Sequence, residues 1–360
     1  MARRDKVVAH VPCGYRAPVR CIPVLLAALG ACSDKPLAPA TEAREKTVTL
    51  DQAAAKRPAG QVTTHQFYSA ALGVDKSYYL YLPPSYPSDA TRYPVIYLLH
   101  GLAGQEDSWI KDINVAKVAD AMQLEAVLVM PDGDDSFYLD SGRQTNYELC
   151  IEGAASQGKD RKNCVRSPRY EKYIVEDLVT HIDANYRTLA DRSGRAIGGI
   201  SMGGYGALML AMRHTDVFSS TASHSGIAAL LDVADPPSNK QPAEGPSAHI
   251  RGLAGLGQLL LPILGRRLEA WQAHDPAHLA ASLSSGDLSI YIDCGTEDDY
   301  QLHKGARHLH QVLKSAGIDH HFALVPGRHK SALWRERIDD SLAFHRRHFE
   351  GSGLPAKGDR

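Results

Sequence analysis

The distribution of apolar residues predicts alternating strands and helices between residues 77 and 349. Continuous or alternating apolar runs, which are typical of strands, occur at 77–83, 94–100, 126–130, 195–200, 219–223, 288–293 and 321–325. Between these runs, apolar residues recur at intervals of three and four, which predicts helices at 113–122, 173–186, 204–213, 300–316 and 334–349. The alternation predicts an α/β fold with a mostly parallel central sheet and helices on both faces.

Two long segments interrupt this alternation. Residues 141–167 are polar and rich in glycine, and residues 232–257 are rich in proline, serine and glycine. Loops of this length in a compact domain are usually functional or lack fixed structure. Both follow predicted strands, and α/β proteins form their ligand sites at the carboxyl ends of the parallel strands. We therefore expect these segments to form walls or lids of a pocket.

The first residues have the pattern of a targeting segment. The apolar run at 21–29 follows a basic leader and is shorter than the roughly 20 residues that span a bilayer, but it suits a signal peptide. The tetrapeptide at 29–32 (LGAC) resembles the bacterial lipobox, in which cleavage precedes a lipidated cysteine. We therefore predict membrane contact through a lipid on Cys32 and an exported envelope location. An ordinary signal peptide and a secreted protein are the alternative.

The sequence predicts four segments along the chain. Residues 1–31 are expected to be the lipoprotein signal peptide, 32–60 a flexible tether, 61–350 the catalytic domain and 351–360 a disordered tail. The formal net charge is −1, and loss of residues 1–31 removes five basic residues and one acidic residue. No basic stripe occurs, so we predict no nucleic-acid partner.

The chain has six cysteines, of which three lie beyond the predicted leader and lipidation site. An exported protein meets an oxidising compartment, so Cys150 and Cys164 can form a disulfide that closes a short loop. Two free thiols are the alternative, because spacing alone does not establish disulfide geometry. Cys294 lies in an apolar run, and we expect it to be a buried hydrophobic residue.

The strongest chemical signal is the pentapeptide GISMG at 199–203, which follows a predicted strand and precedes a predicted helix. In this context the chain turns sharply, so that the hydroxyl of Ser201 projects from the sheet as a nucleophile. A Cβ atom at position 199 or 203 would collide with the neighbouring strand or helix. The helix N-terminus directs amides at a developing oxyanion, and we assign the first amide donor to Met202.

An α/β-hydrolase orders its catalytic residues along the chain as serine, acid and histidine. Three carboxylates at 297–299 follow the strand at 288–293, and one of them should orient an imidazolium. His329 follows the last strand and is the candidate general base. The loop at 100–104 should supply the second oxyanion donor, for which we choose the amide of Leu102, with Ala103 as competitor.

These segments resemble the esterase D family, through VIYLLHGLAGQEDSW, MPDG, GISMGGYGALMLAMRHTDVF, DCGTEDDY and PGRHKSALW. The resemblance spans about residues 62–350 and implies an α/β-hydrolase fold with a Ser–Asp/Glu–His triad. In the esterase branches the acid matches Asp298, whereas the mycolyltransferase branch would place it at Asp299. The family's oxyanion donor matches Leu102, and its histidine five residues before a tryptophan matches His329.

One departure from the family bears on the substrate. Formylglutathione hydrolases carry Cys-Thr-Glu where this chain has GQE at 104–106, which favours oxygen esters over glutathione thioesters. The sequence therefore predicts an exported serine carboxylesterase that acts on small-molecule or saccharide esters of the feruloyl or acetyl type. The alternatives are an acyltransferase, an S-formylglutathione-type thioesterase and a catalytically silent envelope lipoprotein that binds a ligand.

No cofactor and no metal are predicted. The chain lacks HExxH and CxxC motifs, so the histidines at 303, 308, 310, 320 and 321 are interpreted as solvated or core residues. Four further residues near strand ends either touch the pocket or pack in the core, and the sequence leaves both open: His224, Ser225, Trp109 and Tyr138.

Overall fold

A computed structural model describes residues 58–88, 90–142, 147–156, 164–231 and 254–351. The predicted signal peptide at 1–31, Cys32, the tether up to residue 57 and the tail from residue 352 lie outside these ranges. So does most of the predicted loop at 232–257, of which only the last residues are described.

Eight strands form one sheet in the order β1-β2-β4-β3-β5-β6-β7-β8. The strands are β1 Gln61–Ser69, β2 Val74–Leu82, β3 Val95–Leu99, β4 Val127–Pro131, β5 Arg195–Ile200, β6 Ser220–His224, β7 Ser289–Gly295 and β8 His320–Val325. β2 is antiparallel to both of its neighbours, and all other adjacent strands are parallel. All seven predicted strands are present, which confirms the predicted α/β sheet.

Helices follow most strands. They are α1 Ser108–Lys111, α2 Val115–Ala121, α3 Tyr147–Ser156, α4 Tyr170–Lys172, α5 Val179–Asn185, α6 Met202–Arg213, α7 Ala254–Leu264, α8 Leu268–Gln272, α9 Pro276–Ala280, α10 Leu302–Ser315 and α11 Ser331–Gly351. A π-helical segment, Tyr173–Leu178, joins α4 to α5, and two short 3₁₀ turns occur at Tyr86–Ser88 and Arg192–Gly194. Within the described ranges, no helix combines the length and apolarity needed to cross a bilayer.

The central strands are buried on both faces. Every residue of β3, β4, β5 and β6 is buried. Along β3, Val95, Tyr97 and Leu99 belong to one hydrophobic cluster, and Ile96 and Leu98 belong to the other. This alternation explains the continuous apolar runs in the sequence, because each side of the sheet needs its own apolar set.

The structure corrects the predicted loop at 141–167. This segment contains α3, which is tied to the following chain by the disulfide between Cys150 and Cys164. The amides of Arg166 and Ser167 donate to the carbonyl oxygen of Leu72, in the turn between β1 and β2. Arg166 and Ser167 therefore lie against the turn between β1 and β2, and no described residue of the segment lines the cavity beside Ser201. Tertiary contacts fix its place, and the local pattern does not show them.

β1 and the helices α7 to α9 were also absent from the sequence prediction. β1 lies at the edge of the sheet, and its residues alternate between exposed and half-buried positions. Such a strand needs no continuous apolar run, because its pairing with β2 supplies the hydrogen bonds that stabilise it.

Candidate active site

Ser201 lies in the sharp turn between β5 and α6. Its backbone has φ 53° and ψ −115°, a conformation that costs a residue with a Cβ atom about 1–3 kcal/mol. The amide of Ser201 donates to the carbonyl oxygen of His224 at 2.9 Å, so the end of β6 holds the turn in place. This contact stabilises the strained backbone of Ser201 at the carboxyl ends of the parallel strands.

Two glycines permit this turn. A Cβ atom on Gly199 would lie 2.2 Å from the carbonyl carbon of Gly203. A Cβ atom on Gly203 would lie 2.1 Å from the carbonyl oxygen of Leu99 at the end of β3. Both distances are far below van der Waals contact, which confirms the steric reason for the GxSxG pattern.

Three side chains from separate loops meet at this turn. The Nε2 atom of His329 lies 2.9 Å from Oγ of Ser201, and its Nδ1 atom lies 2.7 Å from Oδ2 of Asp298. Because an ionised carboxylate only accepts hydrogen bonds, Nδ1 carries the proton and Nε2 accepts the hydrogen of the serine hydroxyl. The imidazole can therefore take the proton from Ser201 when the oxygen attacks an electrophile.

The carboxylate of Asp298 is fully buried, and protein groups supply its hydrogen bonds. Its Oδ1 atom accepts the amides of Tyr300 and Leu302 at 3.0 and 3.2 Å, and the thiol of Cys294 lies 3.7 Å from Oδ2. Burial opposes ionisation, but the hydrogen bonds from His329 and the two amides outweigh it and lower the pKa of Asp298. The acid therefore stays charged and can stabilise an imidazolium.

The neighbouring carboxylates point elsewhere. Asp299 accepts a hydrogen bond from Nε of Arg328 at 2.9 Å on the exposed surface. Glu297 is exposed, and its amide donates to the carbonyl oxygen of Gly327. Of the three acidic residues in this loop, the structure brings Asp298 to His329.

Two aromatic rings flank His329. The rings of Tyr300 and Trp334 stand nearly perpendicular to the imidazole, with centroids 4.9 and 5.0 Å away. The indole Nε1 of Trp334 donates to Oγ of Ser225 at 3.3 Å, so Ser225 supports the residue behind the histidine. These contacts restrict rotation of the imidazole between Asp298 and Ser201.

The other residues left open by the sequence pack in the core. His224 is buried and hydrogen-bonds to Asp293 at 3.0 Å and to Ser341 at 2.8 Å. Trp109 and Tyr138 are buried and are not part of the cavity lining. Phe137, next to Tyr138, lines the cavity instead. Cys294 is buried, as predicted.

The loop after β3 brings candidate amide donors to the serine. A Cβ atom on Gly101 would lie 3.4 Å from Cβ of Ser201, so this loop passes directly against Ser201. Within the described chain, the amides of Leu102 and Met202 donate to no other group, and both residues line the cavity. The amide of Ala103 is already bonded to Oδ1 of Asp135 at 2.6 Å. The geometry therefore favours Leu102 over Ala103.

His100 and Asp135 contact this loop and were not found by sequence reasoning. Nε2 of His100 accepts the amide of Gly133 at 2.9 Å, so Nδ1 carries the proton and donates to the carbonyl oxygen of Gly101 at 2.8 Å. The His-Gly pair at the end of β3 was the available signal for His100. Asp135 lies in a different loop, and no local pattern marks it.

The serine opens into a cavity of about 600 Å³. Its apolar lining includes Ile113, Phe137, Ile227, Leu302 and Trp334. A concave apolar surface with a few directed polar groups is typical of sites for small organic ligands. Across the described ranges, no three histidine, cysteine or acidic side chains lie close enough together to hold a metal ion.

Comparison with known proteins shows which family the chain belongs to. The family model described as "Putative esterase" matches residues 69–345. The chain belongs to this esterase family. An esterase of Mycobacterium tuberculosis is 27% identical over 304 residues, which cover 78% of this chain and 58% of that protein. This chain thus spans less than two thirds of the length of that relative.

Two solved structures share the fold of this esterase-family member. A ferulic acid esterase has a TM-score of 0.59 at 22% identity, with 81% of this chain and 99% of the other covered. An S-formylglutathione hydrolase from Agrobacterium tumefaciens has a TM-score of 0.61 at 20% identity, with 81% and 96% covered. The eight-stranded sheet is that of the α/β-hydrolase fold.

Proposed function

We propose that this protein is a serine carboxylesterase with Ser201, His329 and Asp298 as its catalytic residues. The observation that carries the proposal is the continuous chain of hydrogen bonds from Ser201 Oγ through the imidazole to a buried carboxylate, at 2.9 and 2.7 Å. The strained turn that presents the serine supports the same chemistry, as do the amides of Leu102 and Met202, which have no hydrogen-bond acceptor among the described residues.

The reaction proceeds in two halves. Oγ of Ser201 attacks the ester carbonyl carbon while Nε2 of His329 takes the hydroxyl proton, and the amides of Leu102 and Met202 stabilise the oxyanion. Collapse of the tetrahedral intermediate breaks the ester bond, and His329 gives its proton to the departing alcohol. Water then attacks the acyl-enzyme with His329 as base, which releases the acid and restores Ser201.

The substrate we propose is an oxygen ester of a small molecule or a saccharide, with feruloyl or acetyl groups as the first candidates. The apolar cavity suits an acyl group without charge, and a ferulic acid esterase is among the proteins of similar fold. The departure at 104–106 argues against a glutathione thioester. Transfer of the acyl group to a sugar or lipid acceptor would use the same acyl-enzyme.

Activity-based labelling tests the function directly. We expect a fluorophosphonate probe to label folded protein at Ser201, and turnover of short nitrophenyl, feruloyl-sugar and acetyl-sugar esters to exceed turnover of formylglutathione. Product analysis with added alcohol acceptors separates hydrolysis from acyl transfer. A folded protein that the probe leaves unlabelled would instead support a catalytically silent ligand-binding lipoprotein.

We further propose that the enzyme is exported and held to the cell envelope by a lipid on Cys32. The basic leader, the apolar run and the LGAC tetrapeptide support this location. Mass spectrometry of the mature protein from a bacterial host with lipoprotein processing should find a diacylated or triacylated N-terminal Cys32. Cys32→Ala should abolish the added mass. A mature chain that starts at another residue without lipid would contradict the proposal.

A further inference from the structure

The loop that carries Leu102 adopts an unfavourable conformation. We define the oxyanion loop as residues 100–104. The amide of Gly104 donates to the carbonyl oxygen of Gly101 at 3.0 Å, which closes a tight turn with Leu102 and Ala103 at its centre. Ala103 has φ 60°, in the left-handed region that residues with a Cβ atom rarely occupy. Some other contact must therefore stabilise the turn.

The side chain of Asp135 supplies this contact. Its Oδ1 atom accepts the amide of Ala103 at 2.6 Å, a short bond in which the acceptor can carry charge. The bond fixes the orientation of the peptide that joins Leu102 to Ala103. It therefore restrains Leu102, which lines the cavity beside Ser201.

The residues on both sides of Asp135 are buried and held by polar contacts. Among residues 131–139 it alone is exposed, and the eight others are buried. Its neighbours Asp132 and Asp134 are bonded to Nζ of the buried Lys76 at 2.7 and 2.9 Å. The hydroxyl of Ser136 donates to the carbonyl oxygen of Gly133 at 2.6 Å. The backbone on both sides of Asp135 is thus held in place.

The same segment also holds the first residue of the oxyanion loop. The amide of Gly133 donates to Nε2 of His100 at 2.9 Å, and the hydroxyl of Tyr138 donates to the carbonyl oxygen of His100 at 3.1 Å. Residues 131–139 are thereby hydrogen-bonded to the loop at His100 and at Ala103. Leu102 lies between these two attachment points.

We propose that Asp135 is a positioning residue, which holds the oxyanion loop through Ala103 so that the amide of Leu102 meets the developing oxyanion. This inference rests on the proposed esterase function. The useful property of Asp135 is its acceptor oxygen, because a negative charge near the oxyanion would oppose the transition state. Substitutions of Asp135 can therefore separate the effect of its acceptor oxygen from the effect of its negative charge.

Three variants test this separation. We expect Asp135→Ala to lower kcat for a nitrophenyl ester by roughly 10- to 100-fold with little change in KM, because a misplaced oxyanion donor weakens the transition state selectively. Asp135→Asn keeps an acceptor oxygen and should retain most of the activity. Asp107→Ala is the matched control, because Asp107 is a nearby carboxylate that pairs with Lys111 and, among the described residues, forms no hydrogen bond with the oxyanion loop.

A rescue variant distinguishes positioning from a general structural role. Glycine adopts the left-handed conformation without strain, so Ala103→Gly should reduce the loss caused by Asp135→Ala to about threefold in the double variant. Thermal unfolding of each variant shows whether it is folded. If Asp135→Ala matches the control, if Asp135→Asn is as impaired as Asp135→Ala, or if the loss lies in KM, the inference is wrong. If wild-type protein is not labelled at Ser201, the proposed function fails instead.

Discussion

Replacing Ser201 by alanine is expected to lower kcat for ester hydrolysis by roughly 10⁴- to 10⁶-fold, because it removes the hydroxyl that is hydrogen-bonded to Nε2 of His329 and that would attack the ester. The remaining activity would come from substrate binding and from the amides of Leu102 and Met202. The fold should be preserved, since alanine occupies the same backbone conformation and only one hydroxyl is lost. The measurement is kcat for a nitrophenyl ester, together with the thermal unfolding midpoint.

The control for this variant is Ser282→Ala, at a serine that lies outside the cavity lining and whose hydroxyl donates to the carbonyl oxygen of Leu279. It should leave kcat within about twofold of wild type. A folded Ser201→Ala protein that keeps more than about 1% of wild-type kcat would show that another group is the nucleophile.

The second large effect is expected at the acid. Asp298→Asn should lower kcat by about 10⁴-fold, because the amide nitrogen would donate to Nδ1 of His329 and force its proton onto Nε2, which faces Ser201. Such an imidazole cannot accept the serine proton. The substitution keeps the volume of the buried side chain, and the unfolding midpoint shows whether the fold is intact.

Asp299→Asn is the matched control on the adjacent residue. It weakens only an exposed pair with Arg328, which is worth at most about 1 kcal/mol, so we expect less than a tenfold loss in kcat. Although burial opposes ionisation, the hydrogen bonds from His329 and two backbone amides lower the pKa of Asp298, so this acid stays ionised as the pH falls below neutral. Equal losses in the two variants, or a larger one at Asp299, would overturn the assignment of the acid.

The sequence predicted that Ser201 and His329 belong to one site because each is marked by its place along the chain. The pentapeptide at 199–203 needs glycines at both ends for steric reasons, and those reasons are local to one turn. His329 follows the last strand of a parallel sheet, and the carboxyl ends of parallel strands meet at one edge. The order of the strands along the chain was therefore enough to predict that Ser201 and His329 lie close together.

The choice among the three carboxylates and the choice between Leu102 and Ala103 needed more than the residue pattern. Three consecutive carboxylates fit the loop after β7, and the choice among them depends on which side chain reaches His329. Leu102 and Ala103 are adjacent, and the difference between their amides lies in Asp135, which is 32 residues further along the chain. Family resemblance pointed to Asp298 and Leu102, and the geometry gives the physical reason for each.

By itself, the sequence determined the α/β class, the strand order along the chain, the turn that presents Ser201 and the position of His329, because periodicity and steric limits act within short segments. Only the tertiary structure decided which carboxylate faces the histidine, that Arg166 and Ser167 pack against the turn between β1 and β2, and that Asp135 hydrogen-bonds to the oxyanion loop. Hydrogen bonds between distant loops depend on where the whole sheet brings their ends, and no local pattern records those distances.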